Sequence, residues 1–482
     1  GNITCTGTIP AAQLTGTLPA IDGSNLTGLS AGVTSDSDQN TIGGTNAGDS
    51  FSGALRNTLF GYNAGTAITS GDDNTAFGRE ALKSATSAAN NTAIGKSALA
   101  DNDGNNNTAL GYNSALANSS GSGNTAIGSD SFRLNTTGSN NTALGYRALY
   151  NNTTANQNTA IGKDALRANQ TGYSHTAVGH GALDTQNGGY ACNAFGVDSL
   201  RSCTTGVNNC AYGFNALANV TTGSHNIAIG TQTGDAISTT SGNTMMGTYA
   251  GTNYTGSNMT AMGYGAAFTA TTAEQITAIG DNALYNIGSG GNYSVGVGTN
   301  ALYSLNSSSG GSCTAVGRYA NMLLTTGSGT TSIGQGAGYH STTGTNNLNL
   351  DGQPSSATAN YQITLGNTGH NNLRCNDTSI SSLSDRRDKT DIVDLPIGLD
   401  FVDTLKPRKF KWQTRDGNIK DGSIRAGFIA QELQEAQTGN NWLQLVLDDN
   451  PDKLEANEGH LIPVLVKAIQ ELSAKVKALE AA

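Results

Sequence analysis

The run Ser384-Asp385-Arg386-Arg387-Asp388-Lys389 holds the residues of this chain that are best suited to covalent chemistry. A serine hydroxyl is a weak nucleophile at neutral pH and needs an adjacent base before it attacks a carbonyl. The five-residue spacing from Ser384 to Lys389 lets both side chains lie on one short turn. Taken alone, the six residues favour another interpretation, a solvated charge run before a strand.

Elsewhere the sequence offers few groups for catalysis. The acids of the region before Ser384 are sparse and form no paired-carboxylate arrangement of the kind that hydrolyses glycosidic bonds. We therefore disfavour a glycan hydrolase, and we expect no external substrate, no cofactor and no metal site. The six histidines fall mostly in predicted loops, at His175, His180, His225, His340, His370 and His460.

The cysteines give no clear redox or metal motif. No C-x-x-C pair occurs, which argues against a zinc knuckle or a redox pair. Cys192, Cys203 and Cys210 lie within about one repeat and could approach one another. Over a disulfide among them, we favour the alternative that Cys192 and Cys210 replace the Asn and Thr of their repeats as small residues in a packed wall. The remaining cysteines are Cys5, Cys313 and Cys375.

A repeated phrase fills most of the chain before the charged run. Asn-Thr-Ala-Ile/Leu-Gly, or a close variant, occurs seventeen times, and twelve of the sixteen intervals between its glycines are 17 residues. Such self-similarity indicates a stack of repeats rather than a pocket enzyme. The glycines are Gly61, Gly78, Gly95, Gly111, Gly128, Gly145, Gly162, Gly179, Gly196, Gly213, Gly230, Gly247, Gly263, Gly280, Gly298, Gly317 and Gly334.

A single repeat shows how the chain would fold. Residues 141–145 alternate as in a strand, which would point Thr142 and Leu144 one way and Ala143 and Gly145 the other. Helical periodicity is absent, and the Asn, Thr, Ser and Gly that follow are turn residues. We predict a β-solenoid of 17-residue coils, with the Ile/Leu/Val/Phe positions stacked inside and an Asn column at the turn.

The small residues of the phrase need a separate explanation. Ala and Gly keep one strand face nearly free of side chains, which lets another backbone approach closely. We predict that three solenoids pack along these faces around a common axis. The alternative is that the glycine only serves a tight corner. Examples of the pair are Ala93 and Gly95, Ala126 and Gly128, and Ala160 and Gly162.

The repeat region resembles two kinds of fibrous protein. Through the phrase Asn-Thr-Ala-Ile-Gly, residues 40–340 resemble the β-roll heads of trimeric autotransporter adhesins and the repeat shafts of phage fibres. Residues 1–35, with Ile9-Pro10 and Leu18-Pro19, resemble sequence that is common in phage tail-fibre proteins. These resemblances imply a trimeric shaft that follows an extended connector.

Charged residues become dense from Ser384 onward, where 31 stand in 99 positions. The Ser-Asp-x-Arg-x-Lys opening and the Gly-Phe-Ile-Ala-Gln-Glu box at 427–432 resemble the intramolecular chaperone domain first described at the end of phage endosialidases. The resemblance covers essentially all of residues 384–482.

This second resemblance implies a domain that trimerises, templates the β-solenoid of three chains and then cuts itself off between Ser384 and Asp385. It makes Ser384 the nucleophile and Lys389 its base, while Asp385 and Arg387 complete the motif and orient the bond. The chain would then act as an enzyme only on itself. Some members of the family retain the domain, so the extent of cleavage stays open.

The last segment indicates three-fold assembly independently. Its apolar residues are spaced as the a and d positions of a heptad repeat, with Ala, Glu and Lys between them. The seam is short for an isolated coiled coil, so the rest of the domain would hold the partner chains nearby. The alternative is an amphipathic helix packed on its own domain. The seam residues are Leu465, Ile469, Leu472, Val476 and Leu479.

Bulk composition argues against two classes of partner. The net charge of −10 leaves no basic stripe for nucleic acid. No apolar run approaches the roughly 18 residues that a membrane span requires, and no signal peptide is visible.

The predicted fold is mainly β. It comprises a connector over residues 1–39, a trimeric β-solenoid shaft over 40–340, a cap or linker over 341–383, and a small α+β chaperone domain over 384–482 that ends in a short coiled-coil helix.

The predicted function is that of a structural and adhesive phage virion fibre. The homotrimer would bind a glycan or protein on the host surface, with the cap as its receptor-facing end, and join the tail or base through its N-terminus. A bacterial surface trimeric adhesin is the alternative. Tyrosines that follow the repeat glycines could form a sugar-stacking ladder, but we favour a structural role for them outside the coil; they are Tyr62, Tyr112, Tyr146 and Tyr264.

Overall fold

The computed structural model describes residues 33–306, 311–353, 357–367, 384–411, 424–448 and 454–482. The chain divides into two compact units, Gly1–Gln157 and Asn158–Ala482. Within the described ranges, every helix is too short or too polar to span a bilayer.

In the first unit, short parallel strands follow one another at the spacing of the repeat. Each strand pairs with the equivalent residues of the next, as Thr125 does with Thr142 and Ala126 with Ala143. A two-residue antiparallel strand, β1, pairs with β2 and covers its outer edge. The strands are β1 (Thr34–Ser35), β2 (Thr41–Gly43), β3 (Thr58–Phe60), β4 (Thr75–Phe77), β5 (Thr92–Ile94), β6 (Thr108–Leu110), β7 (Thr125–Ile127) and β8 (Thr142–Leu144).

Within the second unit, neighbouring strands also pair in a parallel register, as Thr159 does with Thr176. The predicted β-solenoid of 17-residue coils is therefore confirmed in both units. Its last two strands, β20 and β21, lie in the segment predicted to cap the shaft. The strands are β9 (Thr159–Ile161), β10 (Thr176–Val178), β11 (Asn193–Phe195), β12 (Cys210–Tyr212), β13 (Ile227–Ile229), β14 (Thr244–Met246), β15 (Thr260–Met262), β16 (Thr277–Ile279), β17 (Val295–Val297), β18 (Thr314–Val316), β19 (Thr331–Ile333), β20 (Leu348–Leu350) and β21 (Ile363–Leu365).

A buried asparagine precedes many of the strands and ties each coil to the next. The Oδ1 atom of Asn57 accepts a hydrogen bond from the backbone N–H of Asn74 at 3.0 Å, and Asn74 Nδ2 donates to the Ala88 carbonyl at 2.8 Å. Buried polar groups are tolerated when they are hydrogen-bonded, and this ladder satisfies them. The predicted Asn column is present, with its side chains inside the coil.

The two faces of the strands are the reverse of the prediction. Ala143 is fully buried, whereas 42% of Leu144 is exposed. The interior holds the strand alanines and a second column of leucines from the following turn, such as Leu149. At Gly296, which takes the alanine position, an added Cβ would lie 3.1 Å from Leu284 Cγ. The narrow interior therefore admits only a small strand residue beside a leucine, and the Ile, Leu, Val and Phe positions face outward.

In some coils the large and small residues of these two interior positions are exchanged. Where Leu59 replaces the strand alanine, Gly65 replaces the leucine, and a Cβ on that glycine would lie 2.7 Å from Leu59 Cδ1. Met245 likewise faces Gly251, whose added Cβ would lie 2.9 Å from the Met245 sulfur. Cores tolerate substitutions that conserve total volume, so the two columns form one coupled core.

The repeated glycine forms a corner between coils. Gly128 has a φ of +132°, and an added Cβ would lie 2.6 Å from the carbonyl oxygen of Gly145 in the next coil. Only glycine permits both this backbone conformation and this approach. Ala126, two residues earlier, is fully buried. The predicted packing of three solenoids along an Ala/Gly face is therefore wrong, and the corner alternative is correct.

The described residues between 384 and 482 form a small α+β fold. Phe401, Leu433, Leu445 and Val464 belong to its hydrophobic core. The Glu471 carboxylate accepts a hydrogen bond from the Leu399 backbone N–H at 2.8 Å and links the first helix to the last. The elements are α1 (Leu399–Val402), β22 (Arg408–Lys411), β23 (Ile424–Gly427), α2 (Ala430–Ala436), β24 (Val446–Leu447), β25 (Glu455–Ala456) and α3 (Ile462–Glu480).

Candidate self-cleavage site and assembly surfaces

The side chains of Ser384 and Lys389 are in direct contact. Lys389 Nζ donates a hydrogen bond to Ser384 Oγ across 2.6 Å. A short 3₁₀ turn, Arg386–Asp388, lies between them, and the Lys389 backbone N–H closes it on the Arg386 carbonyl at 3.2 Å. The turn folds the chain back on itself, so the five-residue spacing places the amine beside the hydroxyl.

Asp385 begins this turn as its N-cap. Its Oδ1 atom accepts a hydrogen bond from the Arg387 backbone N–H at 2.8 Å. The Arg387 guanidinium also binds the carboxylate, with Nη2 at 2.6 Å from Oδ2. This hydrogen bond holds the pKa of Asp385 below its usual value and raises the pKa of Arg387. The carboxylate therefore pairs with Arg387, and the hydroxyl pairs with Lys389.

This arrangement has the parts of an acyl-transfer site. A lysine amine in its neutral form can accept a hydroxyl proton, which turns a serine into a nucleophile. The structure brings together all four residues that the sequence singled out, Ser384, Asp385, Arg387 and Lys389. All four are exposed in the single chain.

Helix α3 uses two different faces. Val464 and Ala468 are buried within the domain. The heptad seam lies on the other face, where its side chains are 41–77% exposed. Within the described residues the seam therefore does not pack on its own domain, and it is open to partner chains. The seam residues are Leu465, Ile469, Leu472, Val476 and Leu479.

An apolar stripe follows the outer strand face of each unit. The third position of each strand carries an apolar or aromatic residue in most coils, and the parallel register stacks these side chains one above another. Contiguous exposed apolar patches of this kind mark interaction sites. The sequence analysis did not predict this stripe, because it placed the Ile, Leu, Val and Phe positions inside the coil. Its most exposed members are Phe77, Ile94, Leu110 and Leu144 in the first unit and Tyr212, Ile229, Met246, Met262, Ile279, Val316, Ile333, Leu350 and Leu365 in the second.

The four tyrosines considered for sugar stacking lie on the outside of the coils and are 40–57% exposed. Cations cover the rings of three of them. A sugar stacked on the same face would displace the cation, so this geometry favours a structural role. Arg79 lies over Tyr62, Lys96 over Tyr112 and Arg147 over Tyr146, at 5.7, 5.3 and 4.9 Å from the ring centroids.

Residues 384–441 match the model of a protein family described as the chaperone of endosialidase. The match begins at the serine of the contacting pair and includes the whole charged turn. No curated protein and no solved structure shows a significant match to the chain. A chaperone segment of the endosialidase type, following β-solenoid coils, fits a protein of the tail-fibre type.

Proposed function

We propose that this chain is the subunit of a homotrimeric virion fibre that attaches to a host surface, and that residues 384–482 act as its intramolecular chaperone. The family match over residues 384–441 carries this proposal. The β-solenoid supports it, because stacked repeats present long surfaces rather than a pocket. The outer surface would bind a glycan or protein of the host, and the N-terminus would join the virion.

Three copies of the chain would bury the apolar stripes of the coils. The third strand residue of each coil is paired in register with the third strand residue of the coil before it. A second copy with the same periodicity can therefore cover the stripe along its length. The exposed heptad seam of α3 gives a second surface of the kind that multimerises. This stripe takes the place of the Ala/Gly face as the packing surface.

The chaperone role follows from the similarity of the repeats. Sliding one solenoid past another by one coil preserves most contacts, so the shaft specifies its own register weakly. Uncovered strand edges and apolar stripes also favour aggregation before assembly. A trimeric domain at one end would align the three chains before the coils form.

The Ser384–Lys389 pair would then release the chaperone. Lys389 accepts the hydroxyl proton, and Ser384 Oγ attacks a peptide carbonyl. The C–N bond breaks as Lys389 returns the proton to the leaving amine, and water then hydrolyses the resulting ester to a carboxylic acid and the free serine hydroxyl. Attack on the carbonyl of Ser384 itself would close a strained β-lactone, so cleavage between Ser384 and Asp385 calls for the hydroxyl of a neighbouring copy. Attack on the preceding carbonyl needs only one chain and leaves Ser384 on the released piece.

Intact mass and denaturing gels test this proposal. We expect a slowly migrating trimer in the unheated sample and two fragments after heating. A released fragment that begins at Asp385 indicates attack between copies, and one that begins at Ser384 indicates attack within a chain. An uncleaved trimer would refute self-release but not the chaperone role. Deletion of residues 384–482 should give an insoluble or non-trimeric shaft, and a soluble, SDS-resistant trimer without them would refute the chaperone.

A further inference from the structure

Two asparagine columns converge inside the regular coils. In the coil that begins at Asn124, this residue and Asn135, eleven positions later, both donate to the Gly138 carbonyl, at 2.9 and 3.0 Å. The coils that begin at Asn107 and Asn158 repeat the arrangement. The repeat therefore aims two buried side chains, eleven residues apart, at one oxygen atom.

One coil of the second unit carries cysteines at both of these positions. The Sγ atoms of Cys192 and Cys203 lie 3.2 and 3.9 Å from the Gly206 carbonyl oxygen, and both side chains are fully buried. Interaction with the Cys203 thiol lowers the pKa of Cys192, and nearby His175 acts in the same direction. Interaction with Cys192 and burial raise the pKa of Cys203.

We propose that Cys192 and Cys203 form a disulfide across the interior of this coil. In other coils, two asparagines donate hydrogen bonds to one carbonyl; here a covalent bond would link the same two positions. The disulfide would also stabilise the fold, because it lowers the conformational entropy of the unfolded chain. The other described cysteines lack this placement. Cys313 occupies the first column, but Leu324 stands eleven residues later. Cys210 lies on a strand at the Thr position and is partly exposed.

The oxidant in this proposal is a low-molecular-weight disulfide such as oxidised glutathione. The Cys192 thiolate attacks one glutathione sulfur, the glutathione S–S bond breaks, and one glutathione leaves and takes up the proton released by Cys192. The Cys203 thiolate then attacks Cys192 Sγ, and the second glutathione leaves in the same way. Two cysteine S–H bonds are lost, one S–S bond forms, and two glutathione thiols appear. Because both side chains are buried, the exchange occurs while the coil is open, during folding or local unfolding.

The test compares the full chain with its Cys210→Ser and Cys203→Ser variants. Reduced protein is incubated with oxidised glutathione close to its thermal midpoint and then unfolded in iodoacetamide. Trypsin cleaves after Arg201 and chymotrypsin after Tyr212, which separates Cys192 from a peptide that holds the other two cysteines. We expect the cross-linked peptide in the wild type and in Cys210→Ser. We expect a trapped glutathione on Cys192 in Cys203→Ser.

The lone cysteine of the first column is the internal control. Cys313 should be recovered alkylated or as a mixed disulfide with glutathione and never in a cross-linked peptide, because Leu324 stands eleven residues later. The proposal is overturned if Cys192 and Cys203 are recovered only in these same two forms, with no peptide that links them. It is also overturned if the cross-link persists in Cys203→Ser and disappears in Cys210→Ser. If a variant fails to fold, fragmentation of the wild-type cross-linked peptide identifies the linked cysteines and decides the question.

Discussion

Lys389 Nζ and Ser384 Oγ are 2.6 Å apart and are joined by a single turn of chain. The contact depends on residues 384–389 alone, so it can form before the rest of the fibre assembles. The N-cap of Asp385 and its pairing with Arg387 hold the turn closed. The pair is therefore already in place in the single chain.

Removing either member of the pair should stop self-release. Ser384→Ala should leave the chain at full length, because no nucleophile remains. Lys389→Arg keeps the charge but removes the base, and it should slow cleavage by about 10²–10⁴-fold. The matched control is Thr390→Ala, one residue beyond the turn, which should cleave like the wild type. Quantified gel bands over time give the rates, and normal cleavage in Ser384→Ala would rule out this serine as the nucleophile.

Substitutions at Ala143 and Leu144 should act in opposite ways although the residues are neighbours. Ala143→Leu adds volume to a full interior and should cost about 1–3 kcal/mol per chain. Leu144→Ser changes an outward-facing residue, so the coil should fold while the trimer weakens. Circular dichroism reports the fold and light scattering reports the number of copies. The inverse result, an intact trimer with Leu144→Ser and a normal coil with Ala143→Leu, would restore the original assignment of the faces.

The corner glycines should be intolerant of any side chain. Gly128→Ala combines a left-handed φ with a Cβ placed 2.6 Å from the Gly145 oxygen, so we expect a loss of more than about 1 kcal/mol and a lower soluble yield. Gly188→Ala is the control, since its nearest neighbour would be the Thr205 methyl at 3.8 Å. Thermal melts compare the two. Equal midpoints would show that the close approach of the coils does not matter.

The two faces of α3 should separate folding from assembly. Ile469 is 66% exposed, and Ile469→Ser should reduce trimer formation while the domain stays folded. Val464 is fully buried, and Val464→Ala should destabilise the domain itself by about 2 kcal/mol. Cross-linking measures assembly, and a denaturant titration measures stability. Unchanged assembly in Ile469→Ser would remove the seam from the proposed interface.

The period of the repeat was enough to predict the architecture. Glycines at a spacing of 17 residues fix the length of a coil, and the parallel register follows directly from it. The Asn column was also predictable, because an amide that recurs at one position can bond to its own copy in the next coil. The contact between Ser384 and Lys389 followed from local spacing and needed no tertiary information.

The direction of the strand faces was not predictable from alternation. Thr142, Ala143 and Leu144 alternate equally well whichever side faces inward. The width of the coil decides between the two, and it depends on Leu149, a residue outside the strand. The pairs Leu59 with Gly65 and Met245 with Gly251 indicate which strand face points inward, because a large strand residue is matched by a glycine in the turn. The match can be recognised only once these two positions are known to face each other.

The central claim is that three copies of this chain assemble in register under the direction of the C-terminal domain. The most direct measurement is the mass in solution of the purified full-length chain, by sedimentation equilibrium across a range of concentrations. We predict a particle of three copies that does not dissociate on dilution. A particle of a single copy at all concentrations would contradict the account.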